Sequence, residues 1–247
     1  MRRSILFMLV SGLLLSCNTK IEVDTIDDSH QMLSESELYY KARAYRNLED
    51  ALNSDEEVIK LVLVRDGLSK VPEGIARLPY IQSLDLVGNH LEDLPAFIGN
   101  MRYLQNIYLN DNQFKTFPKV LYKCRNLQSV LLKNNQLKHI PQDINKLKGL
   151  KHITFTNNRI EKIPESLFDL TELETLGLRG NRISQIPESI CRLSNLKKLN
   201  LRGNNLTRLP DCVTSMSIET LVLSQNPMSI VYIEALRFAM PDTHIEF

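Results

Sequence analysis

From Val58 almost to its end, the chain repeats one hydrophobic pattern every 23 residues. The repeats, which we call rows 1 to 8, begin at Val58, Ile81, Leu104, Leu127, Leu150, Leu173, Leu196 and, one residue early, Ile218. Within a row, apolar residues recur at positions 1, 4, 6, 11, 14, 18 and 21. A fixed period of this length predicts a stacked solenoid, because each row can bury its apolar residues only against its neighbours.

Polar and apolar residues alternate over positions 3 to 7 of each row, which is the period of a half-buried strand. Stacked rows would pair these strands in a parallel sheet, at about 4.8 Å per row. Position 9 is asparagine in every row except the first, which has Asp66. An amide both donates and accepts, so it can satisfy backbone groups where each strand turns. We therefore predict a structural ladder of Asn89, Asn112, Asn135, Asn158, Asn181, Asn204 and Asn226.

Position 15 is proline in each of the first seven rows. Proline has no N–H to donate, and it biases the residue before it towards extended geometry. The side of the solenoid opposite the sheet should therefore be extended or turn-like, with at most short helical turns. Long helices are not expected there.

The row pattern L-x-x-L-x-L-x-x-N-x-L-x-x-L-P-x-x-I-x-x-L-x-x resembles the leucine-rich repeat, and the resemblance covers residues 58 to about 230. The run YRNLEDAL at residues 45–52 also resembles the front cap of bacterial leucine-rich-repeat lipoproteins. This resemblance implies an α/β solenoid, a horseshoe with a parallel sheet on its concave face. It also implies a module that binds proteins, sometimes host or matrix proteins, without identifying one.

The first 17 residues, MRRSILFMLVSGLLLSC, have the order of a secretory signal: two arginines, an apolar stretch too short to span a bilayer comfortably, and then Cys17. The end of this run, LLSC, resembles the lipobox of bacterial lipoproteins, in which the cysteine is lipidated and the preceding peptide is removed. We expect residues 1–16 to be cleaved and Cys17 to anchor the chain through two or three acyl chains. An ordinary signal peptide with an incidental cysteine is the alternative.

The remaining segments flank the rows. Residues 17–33 carry the lipidated cysteine and an acidic tether. Residues 34–57 are predicted as an N-terminal helical cap, since Ser34 and Glu37 match a capping box and an apolar stripe from Leu38 to Leu52 predicts one helix over 34–53. Residues 58–229 form the repeats. Residues 230–247 are predicted as a C-terminal cap of one helix and one strand, and both caps would shield the apolar ends of the solenoid.

The sequence contains no catalytic or nucleotide-binding motif, and the residues outside the solenoid are too few for another domain. We predict that the protein is not an enzyme and uses no cofactor. The five histidines have unequal row positions, so no metal site is expected. Cys124 falls at a core position. Cys191 and Cys212 stand at positions 19 and 17 of adjacent rows, and this offset favours free thiols over a disulfide, although export would permit one.

The candidate binding residues lie on the concave face, at positions 2, 3, 5, 7, 8 and 10. In rows 4 to 7 these positions carry eight lysines and arginines against Glu174 alone, whereas charges in rows 1 to 3 cancel. Aligned cations can attract an acidic partner, and Tyr108 and Leu131 are candidate apolar anchors at position 5. The predicted partner-binding residues are Tyr108, Leu131, Lys133, His152, Arg179 and Arg202. The alternative is that these are scattered surface residues and the contact lies elsewhere.

Together these features predict a monomeric, membrane-anchored scaffold that binds a protein at the bacterial cell envelope, and the aligned cations favour a partner with an acidic surface. The outer membrane is favoured over the inner one, because Asn18 stands where aspartate marks inner-membrane retention in some bacteria with two membranes. The alternative is a structural or adhesive envelope protein that binds glycan or matrix, although 6% aromatic residues and no Trp provide few sugar-stacking platforms. No nucleic-acid partner is expected of an exported chain. The partner, the leaflet and the choice between concave and convex contact faces stay open.

Overall fold

The computed structural model describes residues 31–247, and residues 32–247 form one compact unit. The predictions for the signal peptide, for lipidation of Cys17 and for almost all of the tether therefore lie outside the described residues.

One parallel sheet runs the length of this unit, with its strands in chain order. Its ten strands are β1 (Ala44–Tyr45), β2 (Lys60–Val62), β3 (Ser83–Asp85), β4 (Asn106–Tyr108), β5 (Ser129–Leu131), β6 (His152–Thr154), β7 (Thr175–Gly177), β8 (Lys198–Asn200), β9 (Thr220–Val222) and β10 (His244–Glu246). Equivalent row positions pair across the sheet, so that Leu61 lies beside Leu84, and Leu84 beside Ile107. The register follows from burial, because a slip of one residue would turn every core leucine to solvent.

On the opposite side of rows 1 to 7 the chain forms a short 3-10 turn that follows directly after each row's proline. These turns are Glu73–Arg77, Ala96–Asn100, Lys119–Lys123, Gln142–Lys146, Glu165–Asp169, Glu188–Arg192 and Asp211–Ser215. The core lies between the turns and the sheet, and its largest fully buried side chains include Phe114, Phe155 and Phe168. Cys124 is also in this core, and burial raises the pKa of its thiol to about 11. The predicted leucine-rich-repeat solenoid is confirmed.

The asparagines at position 9 connect neighbouring rows. In Asn158, Oδ1 accepts the N–H of Leu137 at 2.9 Å, while Nδ2 donates to the carbonyls of Leu132 and Phe155, both at 2.9 Å. The same pattern of one N–H accepted from the preceding row and two buried carbonyls bonded recurs from Asn89 to Asn226. Each amide thus satisfies buried backbone groups that the turning chain cannot pair by itself.

The prediction of one continuous helix over residues 34–53 is wrong. The structure contains two short helices, α1 (Glu35–Tyr40) and α2 (Leu48–Leu52), separated by strand β1. The capping box at Ser34 and Glu37 is present and starts α1. Tyr45 leaves the helical stripe because β1 pairs with β2 and gives the first repeat strand a neighbour, and Asn47 then caps α2.

The C-terminal cap contains the predicted helix and strand. Helix α3 (Ile230–Ala239) buries Ile233 and Leu236 against the last row, and β10 pairs with β9. Ile245 on β10 is also part of the hydrophobic core. The last row is therefore covered on the side where no further repeat follows it.

Cys191 and Cys212 form a disulfide, so the expectation of two free thiols is wrong. Their Cα atoms lie 6.2 Å apart, within the range that a disulfide spans. Both residues stand in 3-10 turns of adjacent rows, and such a turn rises only about 2 Å per residue. The offset of two row positions is therefore too small to separate them.

Candidate functional site

The candidate site is the outer face of the sheet, the side turned away from the core. Strand residues alternate between the two sides: Leu84 is fully buried in the core, while its neighbour Asp85 points outward and is half-buried. Because β2 to β9 keep this register, the outer face collects positions 2, 3, 5, 7 and 8 of all eight rows into one surface.

Residues 33–40, which we call the strap, lie over part of this outer face. The N–H of Leu33 donates to Oε1 of Gln82 at 2.8 Å, and its carbonyl accepts from Nε2 of Gln105 at 3.0 Å. These glutamines occupy position 2 of rows 2 and 3 and bond each other at 2.9 Å, and Gln128 in row 4 bonds Gln105 at 3.0 Å. A ladder of three side-chain amides therefore holds the main chain of the strap.

Two further contacts extend the strap from row 1 to row 5. At one end, Nζ of Lys60 donates to the carbonyl of Leu38 at 3.3 Å and lies 5.7 Å from the centre of the Tyr39 ring. At the other, the carboxylate of Glu35 lies 3.5 Å from Nε2 of His152. His152, a predicted partner-binding residue, thus contacts an acid of its own chain.

The burial of the outer face changes along the rows in step with the strap. At position 3, Ser83, Asn106 and Ser129 of rows 2 to 4 are buried, whereas Lys198 of row 7 is exposed. Leu38 of the strap is only 2% exposed, although it is not part of the core behind the sheet. The strap therefore makes a small second layer on the outer face, with Leu38 as its buried apolar residue.

Tyr108 and Leu131 were expected to be exposed anchors, and both are half-buried. Burial raises the pKa of Tyr108, and the negative charges of Asp85 and Glu35 raise it further, against a hydrogen bond to Ser83 that lowers it. Burial also raises the pKa of Asp85. The strap brings Glu35 and Tyr39 close to Tyr108, and the role of Tyr108 and Leu131 as anchors for a partner stays a prediction.

Beyond the strap, the outer face is open and carries most of the predicted cations. We call this region, in rows 4 to 7, the basic half. Its exposed cations are Lys133, Arg179, Lys197 and Lys198, together with Arg159 and Arg182 at position 10 of their rows, and Lys151 and Arg202 are half-buried. Some are paired within the chain: Lys197 with Glu174 at 2.7 Å, Arg182 with Glu161 at 3.8 Å and Arg202 with Glu246 at 3.8 Å.

Five cations of the basic half have no ion-pair partner among residues 31–247: Lys133, Lys151, Arg159, Arg179 and Lys198. Arg202, predicted to bind a partner, instead bonds Gln225 at 3.2 Å in addition to Glu246. The structure thus separates the predicted cations into paired and unpaired groups. Lys198 was absent from the predicted set, although its position 3 on a strand could have indicated it.

Gly177, Thr154 and Thr156 pack closely against one another in rows 5 and 6 of the basic half. Gly177 stands at position 5 of row 6, where a side chain would collide with the hydroxyl of Thr154. That hydroxyl bonds Oγ1 of Thr156 at 2.8 Å. Gly177 is itself buried, so the outer face has no room for a larger side chain at this point.

No group of three or more His, Cys, Asp or Glu side chains converges on a possible metal site within residues 31–247. In the same residues no helix combines the length and apolar content that crossing a membrane requires. Leucine-rich-repeat solenoids are typically scaffolds without enzymatic activity.

Comparison with known proteins agrees with this architecture. The family described as leucine-rich repeat region matches residues 130–236. A leucine-rich-repeat protein from Leptospira interrogans is similar, with 30% identity and a TM-score of 0.68, covering 76% of this chain. The ectodomain of the Arabidopsis thaliana membrane receptor kinase GASSHO1/SCHENGEN3, solved in complex with CASPARIAN STRIP INTEGRITY FACTOR 2, has 26% identity and a TM-score of 0.63, covering 79% of this chain.

The chain spans 54% of the Leptospira structure and 25% of the plant one. No curated protein matches the chain. The repeat family, the fold and these structures support a leucine-rich-repeat scaffold for protein interaction.

Proposed function

We propose that this chain is a bacterial cell-envelope scaffold that binds an acidic protein through the basic half of its outer face. The observation that carries the proposal is the set of unpaired cations, above all Lys133, Arg179 and Lys198, on a surface that the strap leaves open. Exposed cations cost little to keep in water and gain charge-assisted hydrogen bonds when a carboxylate approaches them. They also accelerate encounter with an acidic partner at low ionic strength.

The proposal includes a membrane anchor at Cys17 and a preference for the outer membrane, both supported by the sequence of residues 1–18. Two or three acyl chains hold a protein at a bilayer where one chain binds only marginally. We expect the full chain to partition into detergent and to incorporate labelled fatty acid, and the Cys17→Ala variant to do neither. Lipid incorporation by that variant would contradict the anchor and leave the binding surface untouched.

The binding surface is tested by charge reversal in the soluble chain from residue 18. The test variant carries Lys133→Glu, Arg179→Glu and Lys198→Glu. The matched control carries Arg77→Glu, Lys119→Glu and Lys123→Glu, three exposed cations in the 3-10 turns on the opposite side. Both change the net charge equally, so a general loss of attraction to acids affects them alike.

We expect wild type and control to retain the same acidic partner from envelope extracts, with retention falling as salt rises, and the test variant to lose it. Equal retention by all three proteins would move the contact away from the basic half. Loss by the control alone would assign it to the side with the 3-10 turns.

A further inference from the structure

We propose that the strap is an intramolecular ligand, and that the outer face of rows 1 to 5 is a second binding surface, held closed by this ligand. The external occupant that fits the surface is an acidic peptide with the chemistry of residues 33–38: a main-chain segment for the glutamine ladder, an acid for His152 and a leucine one helical turn later. Both this surface and the basic half reach rows 4 and 5, but the strap contacts are made by Lys60, Gln82, Gln105 and His152 and not by the unpaired cations, so its test does not depend on the proposed function.

The glutamine ladder is built to receive main chain. Oε1 of Gln82 accepts both the N–H of Leu33 and a hydrogen of the Gln105 amide, and that amide also donates to the carbonyl of Leu33. Both polar groups of one residue are therefore satisfied by two side chains that already bond each other. Such contacts recognise backbone, so a different chain that presents an N–H and a C=O with the same spacing can replace Leu33.

Side-chain contacts supply the selectivity. Leu38 is the buried residue of the strap, and Glu35 stands three residues earlier, on the neighbouring turn of α1, where it faces His152. Ser34 begins the helix through its capping box with Glu37. Nζ of Lys60 donates to the carbonyl of Leu38, near the end of the helix, where carbonyls lack partners within the helix. Together these contacts select an acidic, leucine-containing helical turn.

The strap is not needed to close the solenoid. The open edge of row 1 is covered by β1 and α2, whose Tyr45 and Ala51 belong to the continuous core, whereas Leu38 does not. Helix α1 is only six residues long, and isolated helices of that length do not form in water. Its helical state therefore depends on contact with the outer face, and it should be the first segment to detach.

The strap is held in place by linkage. Residues 41–43 join it directly to β1, so its effective concentration at the outer face is on the order of 1 mM. An external peptide must compete with the strap at that effective concentration. A variant that weakens binding of the strap by some factor should therefore raise the apparent affinity of the peptide by up to the same factor.

The test uses a fluorescent peptide with the sequence of residues 32–41 and the soluble chain from residue 18. Leu38→Asp places a charge at the buried position and should release the strap. Tyr40→Asp adds the same charge to the same helix at a position that is 82% exposed. We expect Leu38→Asp to bind the peptide at least about tenfold more tightly than wild type, and Tyr40→Asp to match wild type. A peptide that itself carries Leu38→Asp should not bind.

Equal peptide affinity of wild type and a folded Leu38→Asp variant would overturn the proposal. A second measurement avoids reliance on that variant: a protease site inserted between Ala42 and Arg43 cuts the strap from an otherwise unchanged solenoid. After cleavage we expect the strap fragment to stay bound and to exchange with excess labelled peptide while the solenoid keeps its melting temperature. If the fragment leaves only when the solenoid unfolds, the strap is a structural part of the fold, and the proposal that it is a ligand is refuted.

Discussion

Replacing Asn158 by alanine should destabilise the solenoid severely without changing its size or apolar volume much. The side chain bonds the N–H of Leu137 and the carbonyls of Leu132 and Phe155, each at 2.9 Å, inside the protein. Alanine removes all three partners at once. The backbone groups stay where they are, because the rows on both sides are fixed by their own packing.

The magnitude follows from the groups left unpaired. A buried donor or acceptor that loses its partner costs about 1–3 kcal/mol, and some relaxation or water entry reduces the sum. Three such groups in Asn158→Ala give a loss of about 3–5 kcal/mol in the free energy of unfolding. The matched control is Asn205→Ala, which removes an exposed amide one position further along a row and should cost about 0.5 kcal/mol or less.

The assay is urea unfolding of the chain from residue 18, followed by circular dichroism. Asn158→Ala should lower the midpoint strongly at an unchanged denaturant dependence, because the same surface is exposed on unfolding. If Asn158→Ala and Asn205→Ala lowered the free energy of unfolding equally, the ladder would not hold the rows together, and the reasoning about unpaired backbone groups would be refuted.

Three further predictions concern a buried hydroxyl, the disulfide and a surface ion pair. The hydroxyl of Tyr122 has no hydrogen-bond partner in the described part of the chain, and burial raises its pKa to about 12. Tyr122→Phe should therefore leave the free energy of unfolding unchanged or raise it by about 1 kcal/mol. A lower free energy of unfolding in urea would contradict this. Replacing both Cys191 and Cys212 by serine should lower the free energy of unfolding by about 3 kcal/mol, because the bridge closes a sequence separation of 21 residues. When the chain from residue 18 is unfolded without reduction, an alkylating reagent should modify Cys124 alone. The hydrogen bond from Lys197 lowers the pKa of Glu174, so the pair stabilises the fold at neutral pH. This contribution is lost as the pH falls through the lowered pKa. NMR titration of Lys197→Ala should show the Glu174 pKa rising towards its ordinary value.

The solenoid was predictable because its information is periodic. Each row has apolar residues at the same core-facing positions, so the repeated pattern predicts the register of the strands, the short turns after the prolines and the hydrogen bonds of the asparagine ladder. Errors arose where a segment stands outside the period. The spacing of Tyr45 fits a helical stripe, but Tyr45 lies in strand β1, which pairs with β2. Row numbering also overstated the separation of Cys191 and Cys212, because it ignores how compact a 3-10 turn is.

The strap was not predictable from local pattern. Leu33 and Gln105 are 72 residues apart, and nothing in the sequence near Leu33 marks it as a residue that the sheet will hold. The three glutamines at position 2 of rows 2 to 4 were a visible signal, since rows 5 to 7 carry Lys151, Glu174 and Lys197 there. Their meaning required the position of the N-terminal segment, which only the folded chain supplies.

The rate of lysine acetylation in the native chain tests most directly whether the outer face is divided into a covered part and an open basic half. Mass spectrometry should find Lys133 and Lys198 reacting as fast as Lys119 on the opposite side, and Lys60 several-fold slower, because its ammonium is held by the carbonyl of Leu38. The Leu38→Asp variant should accelerate Lys60 alone. Equal rates at Lys60 and Lys198 in wild type, or no change at Lys60 in Leu38→Asp, would contradict the account.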